Sequence, residues 1–271
     1  MDAITASPTL SLGKFDWTIT DVIDERESET PYVFGKLAKY AKDGHATVID
    51  EKSKSQVDAD VPNLLIASSP FLYLPEFSGI AYLHVWNQVE EQVFTRRFKS
   101  IIEEAYGRFF VHCDIEAVAD YETFTARLRK LDVVNEIKAK VQPPNPMFGR
   151  LWAGLNQYID ERNAEEVQVK EKASTKMGLN SSLVELMEQL LESPDYEPDE
   201  PPAIGDAAIL MAADGYGKGQ VSGLEDGTLV FVKTSDARKS FVYSRDPVPT
   251  ELASKVEALF IAITKERDMK H

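Results

Sequence analysis

The chain has 271 residues, 43% of them hydrophobic and 28% charged, with a formal net charge of −15 and a pI near 4.8. That length holds one large domain or two small ones, and the composition excludes collagenous, low-complexity and wholly disordered classes. A single cysteine excludes a disulfide framework and fits a reducing, cytoplasmic compartment; no apolar run reaches the roughly 20 residues that span a bilayer, and no secretory leader is expected in Met1–Leu12.

Phe15, Trp17 and Ile19 alternate with Asp16, Thr18 and Thr20, which predicts a half-buried strand, followed by a loop over Asp24–Glu29. His45–Ile49 leads into the polar run Asp50–Asp60, expected to be exposed or mobile. Leu64–Phe77 and Gly79–Trp86 read as adjacent strands joined by the turn that begins at Pro75. The period then becomes helical, with Phe94, Phe98, Ile101 and Ala105 on one side. Phe109–Ile115 is apolar enough for an interior strand. Asp120 is positioned to cap a helix whose buried stripe is Tyr121, Phe124, Leu128 and Leu131. Val133–Val141 alternates apolar residues with Glu136, Lys138 and Lys140, as a strand does.

Prolines at 143, 144 and 146 stop both helix and central strand, so Gln142–Pro146 is the expected boundary. Beyond it the sequence predicts a short helix around Leu151–Ile159 and a strand at Val167 and Val169. A helix opening at Ser182 with a capping-box signature to Glu185 follows, then a proline-rich acidic loop over Ser193–Pro202. Ala207–Ala212 reads as helix. Asp226-Gly227, between Val221 and Leu229–Val232, has the form of a type I′ hairpin turn. A final helix starts at Thr250. The expected class is α+β: a mixed sheet with helices on one face, then a smaller α+β unit, divided as 1–142, 143–180 and 181–271.

The charge is unevenly spread. Met177–Gly217 carries nine acidic residues and no Lys or Arg, whereas Arg96–Arg150 carries ten basic residues against eight acidic ones. A uniform negative field would repel phosphates, so nucleic acid binding would need a local basic face, and Arg96, Arg97, Lys99, Arg127, Arg129 and Lys130 are its candidates. Solvated helix surfaces are the ordinary explanation of such residues.

Candidate chemistry is sparse. His84 and His112 sit in predicted strands, but Cys113 would point to the opposite face, and His45 and His271 add no closely spaced pair, so no metal site is expected. Cys113, between Val111 and Ile115, reads as a buried inert thiol. Asp214–Gly219 is glycine-rich, but Gly217-Lys218-Gly219 lacks the Ser or Thr of a phosphate loop and precedes a strand, and no cofactor is expected. Asp114 and Glu116 follow a predicted strand, and Glu166, Gln168 and Lys170 share one face of another. Two-metal nucleases gather acidic residues and a Lys in this way, which makes Asp114, Glu116, Glu166 and Lys170 catalytic candidates. The ordinary reading is an exposed strand face. Phe71, Tyr73, Phe77, Tyr82 and Trp86 could stack bases, but no Lys or Arg occurs from Val57 to Thr95, and core packing accounts for them better.

Several phrases resemble a bacterial, prophage-associated domain family of unknown function: Tyr32–Leu37, Pro144–Pro146, Ala213–Gly217, Gly227-Thr228 and Thr234–Asp236. The resemblance implies an accessory or phage-defence protein acting inside a bacterial cell, and it supplies no active-site residues. The acidic, proline-rich stretch Glu192–Pro202 departs from the family pattern. Residues and resemblance together point to a non-enzymatic interaction protein that binds a protein partner or itself, without a membrane. A metal-dependent nuclease or nucleic-acid-binding subunit is the alternative.

Overall fold

In a computed structural model, residues 2–109, 111–144 and 147–270 are described, and the chain forms two compact units. The first comprises residues 1–115 and 243–258, the second residues 116–242 and 259–271.

The first unit opens with α1 (Asp2–Thr5), β1 (Leu10–Leu12) and β2 (Phe15–Glu25), followed by β3 (Tyr32–Asp50), β4 (Ser55–Leu74) and β5 (Gly79–Tyr82). The five strands pair in sequence order, all antiparallel. Helix α2 (Glu91–Ala105) buries Phe94, Phe98 and Ile101 in a core with Trp17, Ile19, Val33, Leu37 and Phe71. The rings of Phe71 and Phe98 meet edge to face, with centroids 5.1 Å apart. Gly35 pairs with Phe71 across β3 and β4, where a β-carbon would come within 2.8 Å of the Phe71 ring. That close approach accounts for the glycine in Tyr32–Leu37.

Asp50–Asp60 is largely exposed, as expected, and it is also hydrogen-bonded structure. Residues 51–54 turn the chain, and Ser55–Asp60 already belongs to β4, in register with β3. Strand β2 covers β3 only as far as Tyr40, and β5 covers only Phe71–Leu74. Residues 41–50 and 55–64 therefore form a two-stranded ribbon about 30 Å long at ~3.3 Å per residue. Gly79–Trp86 is strand only to Tyr82, and 111–118 is not a strand: Phe109 is 82% exposed and no neighbouring strand pairs with 111–118, so the apolar run finds no ladder. Phe110 lies outside the described residues.

The second unit contains α3 (Tyr121–Leu128), β6 (Val133–Val141), β7 (Phe148–Gly149), α4 (Ala153–Glu161) and β8 (Val167–Lys172). It continues with α5 (Leu183–Glu192), α6 (Ile204–Met211), β9 (Gly217–Glu225) and β10 (Thr228–Lys233). Helix α7 (Pro249–Glu266) begins in the first unit and ends in the second, before β11 (Met269–Lys270), which pairs with β7. The main sheet runs β10-β9-β6-β8 and is wholly antiparallel, so the α+β class holds with antiparallel rather than mixed sheets.

Helix α6 is apolar except for Asp206, buried from Gly205 to Met211, and packs beside β6, β8 and β9. Asp120 caps α3 by accepting from the Thr123 N–H at 2.9 Å. The capping box at Ser182 does not form. Buried Asp206 accepts instead from Ser181 Oγ at 2.7 Å and from the Ser182 N–H at 3.0 Å, and Ser181 Oγ accepts from the Leu183 N–H. Asp226 and Gly227 have φ of 50° and 77° in a two-residue loop, as a type I′ turn requires. Strand β6 precedes Gln142–Pro146, yet it pairs with β8 and β9 beyond it, so one sheet spans the proline run. Asn145 and Pro146 lie outside the described residues.

Candidate functional site

The four catalytic candidates do not converge on one point. Glu116 pairs with Lys218 at 3.4 Å, Glu166 with Lys140, and Lys170 with Glu136 at 3.3 Å. Asp114 belongs to a surface cluster in the first unit. There Lys99 Nζ lies 2.7 Å from Asp114 Oδ1 and 3.5 Å from Glu103 Oε1, while His112 reaches Glu103 at 3.2 Å through Nδ1 and Asp114 at 3.0 Å through Nε2. Burial works against the Lys99 ammonium, but Asp114 and Glu103 outweigh it and hold its pKa above the ordinary value. A lysine committed in this way has its own charge occupied and offsets one of the two carboxylate charges.

Neither His84 nor His112 lies in a strand; His84 packs against Trp86 with ring centroids 4.6 Å apart. Among the described residues no group of three or more His, Cys, Asp and Glu is arranged to hold a metal ion. Burial pushes the Cys113 thiol up to about 11, with Asp114 and Glu103 adding to the shift, so it is protonated at neutral pH. His271 lies outside the described residues.

The six basic candidates divide between the units. Arg97 is half-buried with its guanidinium 5.5 Å from the Trp17 ring, and desolvation lowers its pKa. Arg129 pairs with Glu188, Arg127 approaches Asp236 at 4.0 Å, and Arg96 and Lys130 are exposed. Core packing accounts for the aromatic candidates Phe71 and Tyr82, which lie in or against the first core, whereas Trp86 is 79% exposed.

The glycine-rich stretch is structural. Asp214 is buried, and its carboxylate accepts from Tyr121 Oη at 2.7 Å, Trp152 Nε1 at 2.7 Å and Arg267 Nη1 at 2.9 Å. Arg267 also donates to the carbonyls of Ala213 and Ala119. Desolvation, with the Asp214 charge, raises the Tyr121 hydroxyl well above its ordinary pKa. Gly217 abuts the Lys140 backbone, where a β-carbon would lie 2.1 Å from the carbonyl oxygen.

Sequence reasoning missed a different surface. In the second unit, the face of the sheet turned away from its core carries Lys138 and Lys140 on β6, Lys170 and Lys172 on β8, Lys218 on β9 and Lys233 on β10, all exposed. Register aligns Lys233, Gln220, Lys138 and Lys170 in one row across four strands, and Lys218, Lys140 and Gln168 in the next. The row on the other side runs Phe231, Ser222, Glu136 and Lys172, with Phe231 52% exposed. Alternating charges on β6 and β8 were visible in sequence; their adjacency was not.

No helix among the described residues is long and apolar enough to cross a membrane. No curated protein and no solved structure matches the chain. A family model described as a domain of unknown function, DUF4747, matches residues 10–193, which takes in Tyr32–Leu37 and Pro144–Pro146 but ends before the phrases from Ala213 onward. With more than half of its length matched, the chain belongs to the DUF4747 family.

Proposed function

We propose that the chain is a non-enzymatic accessory protein of a bacterial phage-defence or prophage system, cytoplasmic and self-associating. The ribbon of β3 and β4 carries this reading. One of its faces pairs Val48 with Val57, Ala46 with Ala59 and Gly44 with Val61; the other pairs Thr47 with Asp58 and His45 with Asp60 through side-chain hydrogen bonds of 3.1 and 2.7 Å. Val48 and Val57 are 42% and 41% exposed, while Ile49 near the tip, on the other face with Thr47, is 71% exposed. A two-stranded ribbon is marginal in water until its apolar face is covered, and packing against the same face of a second copy covers both at once. The prophage setting is supported by the sequence phrases alone.

Light scattering on the eluting protein tests the self-association. The expected mass is twice 30.4 kDa, and Val48→Asp with Val57→Lys, a pair that keeps a cross-strand attraction, should return the monomer. A monomeric wild type, or a dimer unaffected by the paired change, overturns it. Phage plating on cells expressing either form tests the setting: equal plating with and without the wild-type protein counts against phage defence.

The nucleic-acid branch of the alternative has an observation in its favour, the lysine face. The nuclease branch has none, because Asp114, Glu116, Glu166 and Lys170 are each engaged by a different partner.

A further inference from the structure

We infer that the exposed face of the β10-β9-β6-β8 sheet binds single-stranded nucleic acid, with Lys138, Lys172 and Lys233 contacting phosphates and Phe231 stacking on a base. The inference deepens the nucleic-acid reading by naming its surface and ligand, and it is independent of the ribbon.

Charge is the first argument. The chain as a whole is at −15, yet this one face holds six exposed lysines. Three are answered by carboxylates: Lys140 by Glu166, Lys170 by Glu136 and Lys218 by Glu116. Among the described residues Lys138, Lys172 and Lys233 have no carboxylate within salt-bridge distance, so the face keeps three uncompensated charges. Surplus positive charge on a strongly acidic chain is complementary to a polyanion, and the acidic remainder confines the attraction to this surface.

Geometry is the second. Strands lie about 4.8 Å apart, so Lys233 and Lys138, two strands apart in the same row, have backbones roughly 10 Å apart, and Lys172 lies on the next strand over. The lysines therefore track a path across the strands instead of converging on one point, which suits successive phosphates of an extended chain and not a single small anion. Phe231 is the third argument. It is the aromatic side chain on this face, half exposed, one strand from Ser222 and beside the Lys233–Lys138 row. An open sheet face that offers a ring beside lysines lets an unpaired base stack while its phosphates pair, and a duplex keeps its bases out of reach.

Anisotropy of fluorescein-labelled oligothymidine and oligouridine, titrated with the full-length protein across a salt series, tests the inference. Binding at low salt is expected, and the two oligonucleotides separate a DNA ligand from an RNA one. Lys138→Glu, Lys172→Glu and Lys233→Glu together should lower the slope of log affinity against log salt by about 2, at ~0.7 per single-strand phosphate contact. Phe231→Ala should weaken binding about 10- to 100-fold while leaving the slope nearly unchanged. All four positions are exposed, so melting temperatures near wild type confirm folded variants. No binding at low salt, a slope that the triple change leaves intact, equal affinity for duplex of the same length, or indifference to Phe231→Ala would each overturn the assignment. A monomeric protein that binds oligothymidine in this way would overturn self-association alone.

Discussion

Asp214 and Arg267, 53 positions apart, form an ion pair of 2.9 Å with side chains 4% and 1% exposed. The guanidinium sits 4.1 Å from the Tyr121 ring centroid, and Tyr121 and Trp152 donate to the same carboxylate. A charge pair taken out of water in this way ties the helical turn before β9, the start of α3 and the segment after α7 to one point.

Removing one partner should strand the other. Arg267→Met is expected to cost about 3–5 kcal/mol of unfolding free energy, because it leaves a buried carboxylate uncompensated. Asp214→Asn should also destabilise, and the double variant should be milder than the sum of the two by more than about 1 kcal/mol. Urea denaturation of the four proteins measures the coupling, and strict additivity would show that the pair does not act as a unit.

The cap at Asp120 predicts a pH dependence. Burial opposes its ionisation, but the Lys239 ammonium at 2.9 Å and the bonds from Thr123 outweigh it and hold the carboxyl below its ordinary value of 3.8. A depressed carboxylate stabilises the fold above the unfolded pKa, and that contribution disappears as pH falls through the folded pKa. Asp120→Ala should therefore cost about 1 kcal/mol at pH 7, and the gap from wild type should close in acid. Thermal melts of both proteins from pH 7 to pH 2 check this; a gap that widens in acid would contradict it.

Cys113 makes the reverse case, since burial raises its thiol from 9.0 to about 11. At pH 8 the folded protein should hold ~100-fold less thiolate than the ordinary value implies. Iodoacetamide is expected to label it slowly until denaturant is added, as followed by intact mass. Equal labelling rates in the two states would show an accessible thiol.

Local patterns were legible where local physics decides the outcome. The Asp120 cap, the alternation over Glu136–Val141 and the type I′ turn at Asp226-Gly227 all rest on interactions within a few residues and appear as read, whereas a register shift between Val134 and Glu136 sets Val134, not Val133, against the core. Phe109–Ile115 has strand composition, yet residues 111–115 have no ladder to join, and a strand is completed by its neighbour's hydrogen bonds. Ser182 and Glu185 have capping-box spacing, yet Asp206 from a later helix took the N–H. Gln142–Pro146 reads as a break between domains, but β6 bonds across it to β8 and β9 because sheet pairing does not depend on chain continuity.

The same reason governs the candidate site. Alternation along a strand already puts Lys138 and Lys140 on one side and Lys170 with Gln168, because side chains alternate with period two. Composition likewise sets the acidic excess against which any basic surface stands. That β6 lies between β8 and β9 emerges only in the folded sheet, and it sets Lys138 beside Lys170 and, through Gln220, in line with Lys233. Strand order and register arise from burying Ile137, Ala139, Val141, Val169 and Val221 in one core with α6, and that choice is made by packing between residues far apart in the chain.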